Sequence, residues 1–128
     1  MTEFFNSLSQ FNDFGILFLR LSVGVIFLVH GKAKLAAGTP ANFRILGITE
    51  ILAALVIILG FGAFSQIAAL WLAIVMVGAI YFKKIKWHTP FAAMDKTGWE
   101  FDLILLAANL MIFFAGSGIF ALTPLEIL

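Results

Sequence analysis

The 128-residue sequence predicts an all-α fold, a polytopic membrane protein whose four transmembrane helices form an antiparallel bundle. Three observations predict it. Hydrophobic residues make up 62% of the chain and Asp, Glu, Lys and Arg only 12%, against roughly 25% charged residues in a soluble domain. Mean hydropathy is +1.09, more apolar surface than a chain this small can hide from water. The apolar residues also gather in four runs long enough to cross a bilayer, with no period-two alternation that would suggest a barrel. This composition excludes a disordered chain, a secreted mini-protein and a nucleic-acid binder. Residues 1–128 read as one domain.

The first span covers residues 14–35, interrupted by Arg20 and His30. The second, 45–62, carries Glu50, and the third, 64–82, carries Gln66 near its start. The fourth, 101–122, contains Asp102 and Asn109. Between the second and third spans there is room only for a tight turn, so these two are antiparallel neighbours. Gly38-Thr39-Pro40 breaks the connection after the first span. Residues 83–100 form the one longer loop, and Trp87 and Trp99 in it suit the headgroup layer. Glu3 and Asp13 precede the first span without any Lys or Arg, so the basic n-region of a signal peptide is missing.

Basic residues set the orientation. Loops 31–44 and 83–100 hold Lys32, Lys34, Arg44, Lys83, Lys84, Lys86 and Lys96, which leaves Arg20 as the one remaining member of the 8 Lys and Arg. The positive-inside rule places both loops in the cytoplasm and both termini outside. With no cysteine in the chain, disulfides, a CxxC redox pair, Cys-ligated metal and a thiol nucleophile are all excluded.

Ionisable residues at membrane depth are costly unless paired or hydrated, so those inside the spans are the functional candidates. Arg20 stands ten residues, roughly 15 Å along a helix, before His30. Asn109 stands nine after Glu100 on a helix running the other way, so Arg20 and Asn109 are expected to approach each other near mid-membrane. They would bind a polar headgroup or carbonyl, or else lock the helices together. His30, Glu50 and Glu100 are expected to share a depth near the cytoplasmic interface as a proton relay, each tuning the others. Glu50 reads equally as a carboxylate paired with Lys34. Lys34, four residues after His30, shares its helix face, and His88 in Trp87-His88-Thr89-Pro90 is a further ligand candidate. Of Glu100 and Asp102, which lie roughly 200° apart around the helix, Glu100 is taken as the inward one. Two His and two carboxylates could ligate a metal, and two His a haem, but neither set has diagnostic spacing; no metal site is assigned.

At these residues the chain resembles the DoxX family of small four-helix membrane proteins. The matching stretches are Arg20-Leu21-Ser22-Val23-Gly24, His30-Gly31-Lys32-Ala33-Lys34-Leu35, Gly47-Ile48-Thr49-Glu50-Ile51-Leu52, His88, and Gly98-Trp99-Glu100-Phe101-Asp102, in order over residues 14–118. After Gly116-Ser117-Gly118 the chain departs from the Ser-Leu-Asp-like ending of many relatives. The resemblance implies the plasma membrane of a bacterium or archaeon and a redox or quinone setting. Arg20, His30, Lys34, Glu50, His88 and Glu100 are the positions it carries over.

The resulting expectation is an accessory subunit of a membrane redox system that holds a quinone-like amphipathic molecule between its helices. Its partners would be the bilayer, a redox-complex subunit or a second copy of the chain. A small proton-linked transporter and a scaffold without ligand chemistry are the alternatives.

Overall fold

A computed structural model describes residues 1–122. The outer position expected for the C terminus concerns residues 123–128, which lie outside the described residues. Helix α1 covers Thr2–Leu8 and leads through a short 3-10 turn, Ser9–Phe11, into α2, Asn12–Ala33. Then follow α3 (Ala41–Leu59), α4 (Gly62–Tyr81) and α5 (Trp99–Ala115), with α4 prolonged by a π-helical turn at Phe82–Lys86. Among the described residues there is no β-strand.

Three stretches are long and apolar enough to cross a membrane: Thr2–Ala33, Ala41–Leu59 and Gly62–Lys86. They match the first three expected spans to within a few residues, except that the first is extended at its N-terminal side by α1. The fourth expected span is corrected. Its helix, α5, has 17 residues, roughly 26 Å at 1.5 Å per residue, and it ends at Ala115 rather than 122. Gly116 ends it because its φ of +77° is a conformation that L side chains rarely adopt. Residues 116–122 then leave the helical path and return toward the end of α3, where the Leu122 amide donates to the Leu59 carbonyl at 3.1 Å.

The four long helices pack chiefly as two pairs, α2 with α3 and α4 with α5. Glycines bring the first pair into backbone contact. A Cβ on Gly31 would lie 2.6 Å from the Gly47 carbonyl oxygen, and one on Gly47 would lie 2.7 Å from the Gly31 oxygen. Small interfacial residues of this kind let helices approach closely in an apolar medium, where packing rather than water exclusion drives association. Phe27, Ala54, Ile57, Ala69, Leu72 and Ile112 are fully buried between the helices. The outer faces are no less apolar: Phe18, Val29, Leu52, Ile67 and Phe114 are each more than half exposed. Helices hydrophobic on all sides are those of a membrane span or a deep core, and a continuous apolar exterior marks a lipid or protein contact surface.

The α3–α4 turn is tied by Ser65. Its hydroxyl accepts from the Phe61 amide at 2.8 Å and donates to the Val56 carbonyl at 3.1 Å, a carbonyl that also accepts from the Gly60 amide at 2.9 Å. At the other end of the molecule the two lysine-bearing loops lie together with a cleft between the helix ends.

Candidate cleft at the basic end of the helices

The cleft has a volume of about 400 Å³. Its walls are largely apolar and aromatic, with Phe27, Leu46, Trp71, Ile74 and Phe101 among them. Five ionisable side chains join that lining: His30 and Lys34 from the end of α2, Glu50 from α3, Lys83 from the π-helical turn, and Asp102 from α5.

Four of these form two ion pairs. The Lys34 ammonium donates to both carboxylate oxygens of Glu50, at 2.8 and 2.7 Å. Glu50 is fully buried, whereas the Lys34 side chain is partly exposed. On the other side, Lys83 Nζ lies 2.7 Å from Asp102 Oδ2. Oδ2 is itself buried, so the ammonium neutralises it as an ion pair. Two carboxylates at this depth would be costly alone; each is neutralised by a lysine reaching in from the loop end.

His30 is exposed, and its ring lies 5.6 Å from that of Phe101. Its Nδ1 is 2.9 Å from the Ile26 carbonyl. Because a carbonyl only accepts, Nδ1 is the donor in that contact.

The structure therefore brings His30, Lys34 and Glu50 to one cleft and separates the other candidates from it. Glu100 is exposed and does not line the cleft; Asp102 is the inward carboxylate, which corrects the choice between them. The reason is helical phase. Asp102, Leu105, Asn109 and Ile112 are the buried residues of α5. Asp102 lies seven residues before Asn109, roughly 20° off its direction, whereas Glu100 lies nine before it, on the opposite face. Applying this spacing to Asn109 would have found Asp102 from the sequence. Lys83, also missed, would have required knowing that α4 continues as a π-helical turn. His88 is exposed in the loop, with φ of 50°, and stands outside the lining. Among the described residues, no three of His, Asp, Glu or Cys lie close enough together to hold a metal ion.

Arg20 and Asn109 are not hydrogen-bonded to each other. Arg20 is fully buried and spends its donors on backbone carbonyls at the end remote from the cleft. Nε donates to Ile57 and Nη2 to Ile58, each at 2.8 Å; Nη1 donates to Ser117 at 2.8 Å and Phe120 at 2.5 Å. The guanidinium thus joins the last turn of α3 to the segment after α5. Gly60 leaves room for it, since a Cβ there would lie 2.5 Å from Nη2. Asn109 donates to the Leu105 carbonyl within its own helix at 2.8 Å, and its buried Oδ1 accepts no hydrogen bond.

Comparison with known proteins finds relatives matched over most of their length. The Bacillus subtilis protein named "Putative oxidoreductase CatD" is 30% identical over 122 residues, spanning 88% of this chain and 87% of the relative. The chain belongs to the CatD family. A Haemophilus influenzae protein named "Uncharacterized protein" is 28% identical over 129 residues, spanning 91% of this chain and 94% of its own. No family model matches the chain, and no solved structure matches it significantly. A CatD relationship and helices of membrane-spanning length together fit a redox-associated membrane protein.

Proposed function

We propose that this chain is an antiparallel four-helix membrane domain, an accessory subunit of a redox system, that holds a neutral quinone-type molecule in the cleft at its basic end. The observation that carries this reading is the cleft itself: about 400 Å³, apolar and aromatic on most of its wall, with its buried charges already paired. Ligand sites of amphipathic small molecules have this make-up, an apolar body with a few fixed polar groups. The walls carry Lys34 and Lys83 against Glu50 and Asp102, so their formal charges cancel and an uncharged ligand is favoured over an ionic one.

Aromatic residues of the wall, Trp71 and Phe101 among them, would hold the ring. Leu46 and Ile74 offer an apolar surface to a hydrocarbon tail. Lys34, with two N–H groups on Glu50, keeps a third for a ligand oxygen. His30 Nε2 is the group suited to take up or hold a proton there. The carboxylates position the lysines. Arg20 and Asn109 are not assigned to the ligand; Arg20 serves the fold. The resemblance to the DoxX family and the name of the CatD relative support the redox setting. The plasma membrane of a bacterium or archaeon, with loops 31–44 and 83–100 in the cytoplasm, is the orientation that the lysines favour.

The test is titration of the protein in lipid nanodiscs with decylubiquinone, following quenching of Trp fluorescence. Saturable quenching that weakens in Lys34→Met is expected. Quenching no different from that of free tryptophan in the same nanodiscs would overturn the reading and favour a scaffold without ligand chemistry.

A further inference from the structure

Helix α1 stands outside the bundle: no residue of it, or of the 3-10 turn after it, is buried. Phe4, Leu8 and Phe11 nevertheless recur at the spacing that puts side chains on one helix face, and Phe5 flanks them. Each of the four is roughly half exposed or more. Thr2, Asn6 and Gln10 lie on the opposite side. At the margins, the Ser7 and Ser9 hydroxyls donate to the Phe4 and Asn6 carbonyls, at 2.6 and 2.8 Å, which lowers their demand for water. Residues 2–11 carry no Lys or Arg, and Glu3 is their one charged side chain. Length adds a second constraint. The helical path from Thr2 to Ala33 has 32 residues, roughly 48 Å at 1.5 Å per residue, against about 30 Å of hydrocarbon. Absorbing the difference by tilt would take about 50°, beyond the roughly 40° at which spanning helices stop. With Lys32 and Lys34 marking one boundary, the excess falls on residues 2–13. The helix departs from α geometry at the junction, where Phe11 has φ −95° and ψ 12°.

From this we infer that residues 2–11 are an interfacial anchor: at the end remote from the basic loops, α1 lies along the bilayer surface, with Phe4, Leu8 and Phe11 set into the boundary between headgroups and acyl chains. The inference rests on the reading of α2 as a membrane span, and not on ligand binding in the cleft. Lipid is the occupant because the apolar strip is continuous with the outer face of α2, which meets lipid in that reading. The Phe11 ring lies 6.2 Å from Phe14, and Phe14 lies 4.9 Å from Phe120. Phe14 and Phe18, both more than half exposed, carry the strip along α2. A helix with one apolar and one polar face settles at this depth. Without lysine or arginine, attraction to anionic headgroups contributes nothing. Burial of the aromatic rings carries the affinity, and neutral phospholipid suffices. An anchor at the end of a span fixes its tilt and depth, here those of the helix that carries Arg20 and His30.

The chain has no cysteine of its own, so a single introduced one takes a label cleanly. Leu8→Cys, Asn6→Cys and Phe18→Cys, all at exposed positions, are each labelled with a nitrobenzoxadiazole fluorophore in phosphatidylcholine vesicles. A nitroxide-bearing phosphatidylcholine quenches from the lipid side and iodide from the water side. The Leu8 probe is expected to be quenched by the lipid nitroxide, and by iodide at least about threefold less than the Asn6 probe. Its lipid quenching is expected to be the same at high salt and with anionic lipid added. Equal iodide quenching at Leu8 and Asn6 would overturn the inference, with α1 standing in water. Protection of the Leu8 probe from iodide without lipid quenching would also overturn it and give the face to a second copy or another protein. In both of those cases the Phe18 probe, on the outer face of α2, remains lipid-quenched and the membrane reading stands. A Phe18 probe that lipid nitroxide does not quench would overturn that reading and this inference together.

Discussion

Lys34, just past the end of α2, and Glu50 on α3 meet through both carboxylate oxygens, at 2.8 and 2.7 Å, beside the point where Gly31 and Gly47 bring the two backbones together. The two features depend on each other. A Cβ on Gly47 would lie 2.8 Å from Lys34 Cβ, so the absent side chain at 47 is what admits the lysine stem. Close packing and charge pairing are thus one construction at this end of the molecule.

Removing the lysine strands a carboxylate that is fully buried. Lys34→Met is expected to cost about 3 kcal/mol or more of stability. The double variant Lys34→Met/Glu50→Leu is expected to recover most of that loss, because it removes the buried charge along with its partner. Thermal unfolding in mild detergent compares the three chains; equal losses in the single and double variants would show that the pair is not coupled.

Glycines at different places should respond in opposite senses. Gly47→Ala forces α2 and α3 apart and is expected to destabilise by about 1–3 kcal/mol. At Gly78 a Cβ would meet nothing within 4 Å, so Gly78→Ala in the helix is expected to be neutral or to stabilise by up to about 1 kcal/mol. The same unfolding measurement checks both.

Arg20→Lys retains the charge but not the fork of donors, and one ammonium cannot cover four carbonyls on two segments. A loss of about 3 kcal/mol is expected from the broken charged hydrogen bonds. Hydrogen exchange of amides 116–122 should accelerate in the variant, while the affinity of the remote cleft for decylubiquinone stays within about twofold. A large drop in affinity with exchange unchanged would return Arg20 to the ligand.

The carboxylates of α5 should separate cleanly. Glu100→Gln, on the exposed face, is expected to change stability by less than about 0.5 kcal/mol. Asp102→Ala leaves Lys83 without its partner and opens a void beside Leu105, with an expected cost of about 2–3 kcal/mol. Comparable effects at the two positions would contradict the facing of α5 described above.

What the sequence disclosed and what it hid follow from the kind of interaction concerned. Apolar runs placed the first three long helices because burial in hydrocarbon depends on composition over a score of residues. Lys34 with Glu50 was among the readings open in the sequence, since both fall near the same end of adjacent spans. Its place after a turn favours Glu100 over Asp102 in the sequence, although the phase of Asn109 decides for Asp102. The end of α5 was masked by the apolar character of residues 119–122, which reads as span whether or not the chain is helical. The sequence suggests a side-chain partner for Arg20, Asn109, whereas its partners are carbonyl groups, which every residue possesses and no pattern advertises.

That last circumstance bears on how the family would evolve. The guanidinium grips main chain at positions 57, 58, 117 and 120, so the contact itself makes no demand on the side chains there. Arginine at 20 would be held fixed across descendants while its contact positions answer only to their own packing, as the buried Ile57 does. A search for correlated substitutions would then pass over the contact that fastens the last segment of the chain to the rest.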